Sequence, residues 1–140
     1  MGWTSKPSNF IQTVEADLTK RQKDIVIDAL GGVVLQSPVD TGAFRASHRV
    51  SINQPDQAYN ESEKDKGGAS TISKGTSALS RLVPYSIVYI QTNSAYGTKI
   101  EYGGFTDKPS TPKTTGGYSK QARQGVYGLT FNYIAQKYGG

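Results

Sequence analysis

Three residue types that catalyse hydrolysis lie close together in this sequence, at Asp40, Ser47 and His48. A serine nucleophile needs a histidine base that a carboxylate orients. Ser47 and His48 are adjacent, so on a helix or a strand their side chains point in different directions. No nucleophile elbow surrounds the serine. We therefore expect His48 to be a surface or interface histidine, and we expect the protein not to be an enzyme.

A second candidate for chemistry is the group of carboxylates Glu61, Glu63 and Asp65. These acids are interspersed with Lys64 and Lys66 in polar sequence, which is typical of a solvated loop of mixed charge. The chain contains no cysteine and one histidine, so disulfides, thiolate catalysis and the usual zinc sites are excluded. We expect no metal site and no cofactor.

The composition suits one domain over residues 1–140, with 35% apolar residues and a net charge of +5. We find no apolar run that could span a bilayer and no signal peptide, so we expect no membrane contact and synthesis in the cytoplasm. No acidic residue follows Asp107, whereas five basic residues do: Lys108, Lys113, Lys120, Arg123 and Lys137. This balance permits contact with DNA or with an acidic protein.

A long N-terminal helix is predicted from Phe10 to Val34, because apolar residues recur there at helical spacing. Ser8 or Asn9 can cap its start, and Pro38 forces an end near Gln36. The apolar stripe consists of Phe10, Val14, Leu18, Ile25, Ala29 and Val33, widened by Val26, Leu30 and Val34.

The rest of the chain alternates short elements with long loops. A short helix through Ser47 and a strand over Arg49–Asn53 precede a flexible loop over Gln54–Thr76. A strand over Pro84–Thr92 follows, with Ile87, Val88, Tyr89 and Ile90 as its buried centre. The last predicted elements are a helix over Ala95–Tyr102, an extended arm over Phe105–Gly117 and a helix over Ser119–Tyr138, of which Tyr127–Phe131 could instead be a strand.

Two motifs stand out in combination. The first is Ser-Pro-Val-Asp-Thr-Gly at residues 37–42, continued by Ala43-Phe44-Arg45-Ala46-Ser47, directly after the long helix. The second is the strand ending at Asn93, followed by Ala95-Tyr96-Gly97 and then Ile100-Glu101-Tyr102-Gly103-Gly104. Together they resemble a family of tailed-phage proteins, the small neck or tail-completion proteins, over most of the chain.

The resemblance implies an α+β fold in which the long helix packs on an antiparallel sheet with shorter helices at the ends. It also implies a structural virion protein that forms a homo-oligomeric ring, commonly six-fold, at the head–tail junction. Such a ring is assembled in the host cytoplasm. It joins the connector or head-completion proteins to the tail terminator or tail tube and lets double-stranded DNA pass through its lumen.

Within the motifs, Asp40 or Thr41 can cap the short helix that carries Phe44, and Gly42 lets its backbone pass close to another segment. Arg45 could pair with Glu101 and so join the two motifs. Tyr96, Tyr102 and Gly103 complete the second motif. These residues either hold the fold or contact a neighbouring subunit.

DNA in the lumen must slide, so weak phosphate contacts suit the ring better than base readout. Lys64, Lys66 and Lys74 in the long loop are the candidates, and the basic C-terminal segment is the other one. An alternative from a different class is a small basic DNA-binding module, in which tyrosines beside lysine and arginine stack on bases. Against this alternative, the C-terminal tyrosines follow a helical spacing that suits a core.

Overall fold

The structure is a computed structural model that describes residues 7–105, 107 and 113–139, with side chains from Ile11 onward. The predicted capping side chains of Ser8 and Asn9, Lys108 and the middle of the predicted arm lie outside the described residues. The described part is α+β, as predicted, with helices packed around a two-stranded antiparallel sheet.

Helix α1 covers Pro7–Gln36 and is confirmed as the dominant element. It ends where predicted, two residues before Pro38. Its C-terminal half supplies much of the core through Val26, Leu30, Val33 and Val34, all buried. The N-terminal half is different, because Ile11, Val14 and Leu18 are exposed. The predicted apolar stripe therefore faces the core over only half of the helix.

Helix α2 (Ala43–Ala46) leads into strand β1 (His48–Ile52), which pairs with strand β2 (Val88–Thr92). The pairing is antiparallel, from His48 opposite Thr92 to Ile52 opposite Val88. Both strands were predicted, but the predicted buried centre of β2 was wrong, since Val88, Tyr89 and Ile90 are only half-buried and Ile87 is exposed. The Ile87 side chain precedes the strand and is 59% exposed.

Helix α3 covers Ala69–Ala78 and continues into a 3₁₀ turn at Leu79–Arg81. The flexible loop predicted over Gln54–Thr76 is therefore wrong for residues 69–76. The helix buries small residues, Thr71 and Gly75, where a large apolar side chain would normally stand. Gly75 approaches Leu30 of α1 so closely that an added Cβ would lie 2.2 Å from Leu30 Cδ2. The helix was missed because close packing of small residues leaves no apolar periodicity.

Helix α4 (Gly97–Tyr102) lies within its predicted range and buries Ile100. Beyond it, the ends of the predicted arm are not extended, because the Phe105 amide donates to the Gly117 carbonyl at 3.0 Å and closes a loop. Strands β3 (Thr114–Thr115) and β4 (Tyr118–Ser119) form a small hairpin there. Asp107 stabilises its turn by accepting hydrogen bonds from Thr114 Oγ1 (2.7 Å) and from backbone amides.

Helix α5 covers Tyr127–Tyr138, so the strand considered for Tyr127–Phe131 is wrong and the predicted helix begins later than Ser119. It packs against α1 where Thr130 meets Gly32; a Cβ on Gly32 would lie 2.8 Å from Thr130 Cγ2. Thr130 is buried, whereas Leu129 and Tyr133 of the predicted apolar face are exposed. Ala122 and Val126, just before the helix, join the core as predicted.

Candidate functional site

Gly42 of the first motif lies where two segments nearly touch. Its φ of +92° is left-handed, a conformation that favours glycine. A Cβ there would lie 2.9 Å from the Lys66 amide nitrogen and 3.0 Å from that of Asp65. The Gly42 carbonyl accepts a hydrogen bond from the Asp65 amide at 3.0 Å. The close approach predicted for Gly42 is confirmed.

Arg45 of the same motif binds backbone carbonyls, not a carboxylate. Its guanidinium donates to the carbonyl oxygens of Leu35 (3.1 Å) and Ser37 (2.9 Å) at the end of α1, and to that of Lys66 (2.7 Å). The Arg45–Glu101 pair predicted from the sequence is therefore wrong. The last carbonyls of a helix have no partner within it, and Arg45 fills that role for α1.

The predicted capping of α2 by a side chain of the motif is also wrong. The residue at the N-cap position is Gly42, without a side-chain cap. Thr41 Oγ1 accepts a hydrogen bond from the Ala43 amide at 3.3 Å, which forms a local turn before the helix. Asp40 is exposed and pairs with Lys113 at 3.3 Å. Phe44 packs partly buried against the core, as expected.

Asp65, which sequence reasoning placed in a solvated loop, anchors the start of α3. Its carboxylate accepts hydrogen bonds from the Gly68 amide (3.0 Å), the Thr71 amide (2.7 Å) and Thr71 Oγ1 (2.8 Å). Burial acts to raise the pKa of Asp65, but these donors and the Arg45 charge outweigh it, so the pKa lies below its ordinary value. An aspartate three residues before Gly68 and six before Thr71 is the only sequence signal of this role.

The other two acids of that group do not join Asp65. Glu63 lies 3.6 Å from Arg49, and Glu61 is exposed. Among residues 7–105, 107 and 113–139 no cluster of three histidine, aspartate or glutamate side chains could hold a metal ion. In the same part of the chain no helix combines the length and apolar character needed to cross a bilayer.

Glu101 of the second motif joins α4 to α5. Its carboxylate accepts hydrogen bonds from the amides of Val126 (2.7 Å), Tyr127 (2.8 Å) and Gly128 (2.7 Å). These amides belong to the first turn of α5, which favours a negative charge. Burial acts to raise the pKa of Glu101, but the three donors outweigh it and leave the pKa below its ordinary value.

The remaining residues of the second motif either lie on the surface or pack against the hairpin. Tyr96 and Tyr102 are exposed, so neither supports the core. Gly103 ends α4 with a φ of +84°. A Cβ on Gly103 would lie 3.1 Å from the Tyr118 ring. The motif thus places two aromatic side chains on the surface and fixes the hairpin against α4.

His48 is buried, so the predicted surface histidine is wrong. Its Nε2 lies 2.5 Å from Ser37 Oγ and its Nδ1 lies 2.7 Å from Tyr127 Oη. Ser47 points elsewhere and contacts the Phe44 carbonyl and Thr92 Oγ1, each at 2.5 Å. The serine beside His48 is therefore Ser37, from the end of α1.

The hydrogen bonds fix the tautomer of His48. Ser37 Oγ donates to the Val33 carbonyl at 2.5 Å, so its one proton is used and His48 Nε2 must donate to it. Nδ1 then accepts from the Tyr127 hydroxyl. Burial, and secondarily the Arg45 charge, lower the pKa of His48 to about 4. An imidazole whose Nε2 carries the proton cannot take a proton from Ser37 through that nitrogen. The two hydrogen bonds of His48 instead hold α1, β1 and α5 together.

The candidate DNA-contacting lysines, Lys64, Lys66 and Lys74, are all exposed. Of the C-terminal cations, Lys113 pairs with Asp40 and Lys137 pairs with Asp28 at 2.8 Å. Lys120 and Arg123 have no ion pair among the described residues. Two of the four described C-terminal cations are thus paired within the molecule, and Lys120 and Arg123 are the two whose charge is left for a ligand.

Two surfaces carry exposed apolar side chains. The first, called here the leading ridge, is formed by Ile11, Val14 and Leu18 on α1. The second is a cleft of about 370 Å³ between the end of α1, α2 and the segment before α5. Leu35 and Leu129 line this cleft and are exposed. Its other lining side chains are mainly polar: Gln36, Ser37, Arg45, Gln121, Ala122, Arg123 and Gln124.

Comparisons with known proteins found no family model, no curated protein and no solved structure that matches this chain. The resemblance to the phage neck and tail-completion family therefore stays a prediction that rests on the two sequence motifs.

Proposed function

We propose that this protein is a structural virion protein of a tailed phage that forms a ring at the head–tail junction. The observation that carries the proposal is the distribution of exposed large apolar side chains. They occur at several places on the molecule: the leading ridge, the Val83–Ile87 loop, the cleft around Leu35, and the surface of α5 at Phe131 and Tyr133. Several exposed apolar patches on one small domain favour a subunit with several neighbours.

The two motifs support the same proposal through what they hold in place. Arg45 joins the end of α1 to the loop before α3, and Glu101 joins α4 to α5. Arg45 and Glu101 thus connect elements that carry exposed apolar residues. A ring subunit needs such rigid connections, because each contact must keep the angle that closes the ring.

In the proposed ring the copies, six in the arrangement the motif resemblance favours, contact the connector or head-completion proteins on one side and the tail terminator or tail tube on the other. Double-stranded DNA passes through the centre. Lys64 and Lys66 lie beside Glu63 and Asp65 in sequence, so the loop offers weak contacts to phosphate instead of a continuous basic track. Weak contacts let DNA slide.

The test is electron microscopy of a lysate from a phage in which this gene carries a nonsense codon. DNA-filled heads lying beside separate tails are expected, and a plasmid copy of the gene should restore joined particles. Overlong tails would place the protein at the tail terminator. Complete, infectious particles without the protein would refute the junction role.

A small basic DNA-binding module remains the second candidate, favoured by Lys120 and Arg123 before α5 and by the exposed aromatic rings of Phe131 and Tyr133 on it. Aromatic stacking beside cations is the usual way to bind single strands. Binding of DNA by the isolated monomer, with an affinity that falls steeply with salt, would favour this candidate over the ring.

A further inference from the structure

We propose that the leading ridge of one copy docks into the cleft of the next copy, so that neighbouring subunits contact head to tail. This inference rests on the proposed ring and identifies the two surfaces that build it. The ridge consists of Ile11, Val14 and Leu18, and the cleft is lined by Leu35, Leu129, Arg45 and Arg123.

The side chains of the ridge are exposed and lie outside the hydrophobic core of the described part of the molecule. Helix α5 runs along α1 only as far as Arg21, whose guanidinium donates to the Tyr138 carbonyl at 2.8 Å. Ile11 lies about 15 Å beyond that point at 1.5 Å per residue. The Val83–Ile87 loop contacts α1 beside the ridge, where Gln22, one turn beyond Leu18, donates to the Ser86 carbonyl at 2.9 Å and Pro84 lies near Glu15 and Ala16. Among the described residues the ridge stays exposed, by 54% at Ile11, 39% at Val14 and 46% at Leu18.

Charge makes the two surfaces complementary. Residues 11–19 contain Glu15 and Asp17 and no basic residue. At about 100° per residue these acids fall on the two sides of the ridge. The cleft shows the reverse sign, since the exposed Arg123 lines it and no acidic side chain does, while Arg45, which also lines it, is held by three backbone carbonyls. Apolar residues between acids thus face apolar residues beside Arg123, the arrangement that fixes orientation and excludes wrong partners.

Geometry excludes docking within one chain. Leu18 and Leu35 lie on the same helix, about 25 Å apart along its axis, so a ridge cannot reach its own cleft. When the ridge of one copy occupies the cleft of the next, the pair still has one free ridge and one free cleft. Such heterologous contacts continue from copy to copy and generate a ring where the rotation closes.

Cysteine cross-linking tests the contact directly, because the chain has no cysteine of its own. The Leu18→Cys, Leu129→Cys double variant should form a ladder of disulfide-linked multimers on oxidation, while either single variant stays monomeric on a non-reducing gel. The matched control is Ala16→Cys with Leu129→Cys, since Ala16 lies on the opposite side of the same turns and should give no ladder. Circular dichroism checks that each variant is folded.

Charge exchange provides a second readout by light scattering of concentrated protein. Glu15→Lys with Asp17→Lys, or Arg123→Glu alone, should reduce the oligomer to monomers, and combining all three changes should restore it. Three results overturn the proposal: no ladder from the double variant, single variants that link to themselves, or charge reversals that leave the oligomer mass unchanged.

The outcome separates this contact from the junction role. If the nonsense lysate contains separate heads and tails but the double cysteine variant gives no ladder, the ridge–cleft contact is refuted and the junction role stands. A ladder with complete particles in that lysate refutes the function and leaves the contact.

Discussion

Among single residues, Glu101 makes the connection that is easiest to test. Glu101→Gln removes the charge and one of two acceptor oxygens at the start of α5. We expect the free energy of unfolding at pH 7 to fall by about 1–2 kcal/mol, the usual effect of losing a helix cap. Denaturant titration measures it. Glu61→Gln, at an exposed carboxylate, is the control and should change stability by less than about 0.5 kcal/mol. Equal effects of the two changes would contradict the capping role.

His48 gives a pH dependence of defined sign. Its pKa is about 4 in the folded protein and 6.5 ordinarily, so between these values the unfolded chain binds a proton that the folded chain does not. Stability is then complete above pH 6.5 and falls as the pH drops towards 4, by up to about 3 kcal/mol.

The variant His48→Gln should lose this slope while also being less stable at pH 7, since Ser37 and Tyr127 lose their buried partner. Glu101→Gln serves as the control, because the stability that Glu101 contributes is complete above its ordinary pKa of 4.5 and is lost only at lower pH. The Glu101→Gln variant should therefore keep the pH dependence of the free energy of unfolding between pH 6.5 and 5. A wild-type stability that is flat over that interval would show that His48 titrates normally.

The sequence indicated the importance of Arg45 and Glu101 but not their partners. Opposite charges in two motifs suggested a pair, whereas each side chain satisfies backbone groups at a helix end. Those groups become available only once the helix ends are positioned in the fold. The burial of His48 was unpredictable for a similar reason, since its partners Ser37 and Tyr127 come from distant parts of the chain.

At the scale of elements, the packing of α3 on α1 depends on a glycine. Gly75→Ala would place a methyl group 2.2 Å from Leu30 Cδ2 and 3.0 Å from Val50 Cγ2. We expect a loss of about 1–3 kcal/mol from overpacking. Gly31→Ala is the matched control, since a Cβ there meets nothing within 4 Å. It should instead stabilise the protein by about 0.5–1 kcal/mol through helix propensity. Thermal melts of both variants measure the difference, and a destabilising Gly31→Ala would contradict this account.

The elements were predictable where apolar spacing carried the information. Helix α1 and strands β1 and β2 have it, and α4 lies between a turn and Gly103. Helix α3 lacks it, because Thr71 and Gly75 are selected for closeness to α1 and not for hydrophobicity. Helix α5 was predicted to begin too early, at Ser119 instead of Tyr127. Its buried face was also predicted wrongly, because Thr130 is buried while Leu129 is exposed.

At the scale of the whole molecule, the location of DNA contacts can be tested by salt dependence. We expect Lys64→Gln, Lys66→Gln and Lys74→Gln together to make the dependence of DNA affinity on salt shallower, by about 0.9 in log–log slope for each phosphate that the variant no longer neutralises. Fluorescence anisotropy of a labelled duplex with the assembled protein measures it. Lys120→Gln, outside the cleft, is the comparison and should leave the slope unchanged. The reverse pattern would assign DNA binding to the segment before α5.

The contact between α1 and α5 has a consequence for synthesis. Arg21 binds the Tyr138 carbonyl, and Lys137 and Tyr138 both bind Asp28. Residues 37–126 separate the two helices, which at roughly 5–20 residues per second takes on the order of 5 to 20 seconds to translate. During that interval the face of α1 around Gly32 is uncovered. A nascent chain therefore reaches its finished shape only after α5 has emerged from the ribosome.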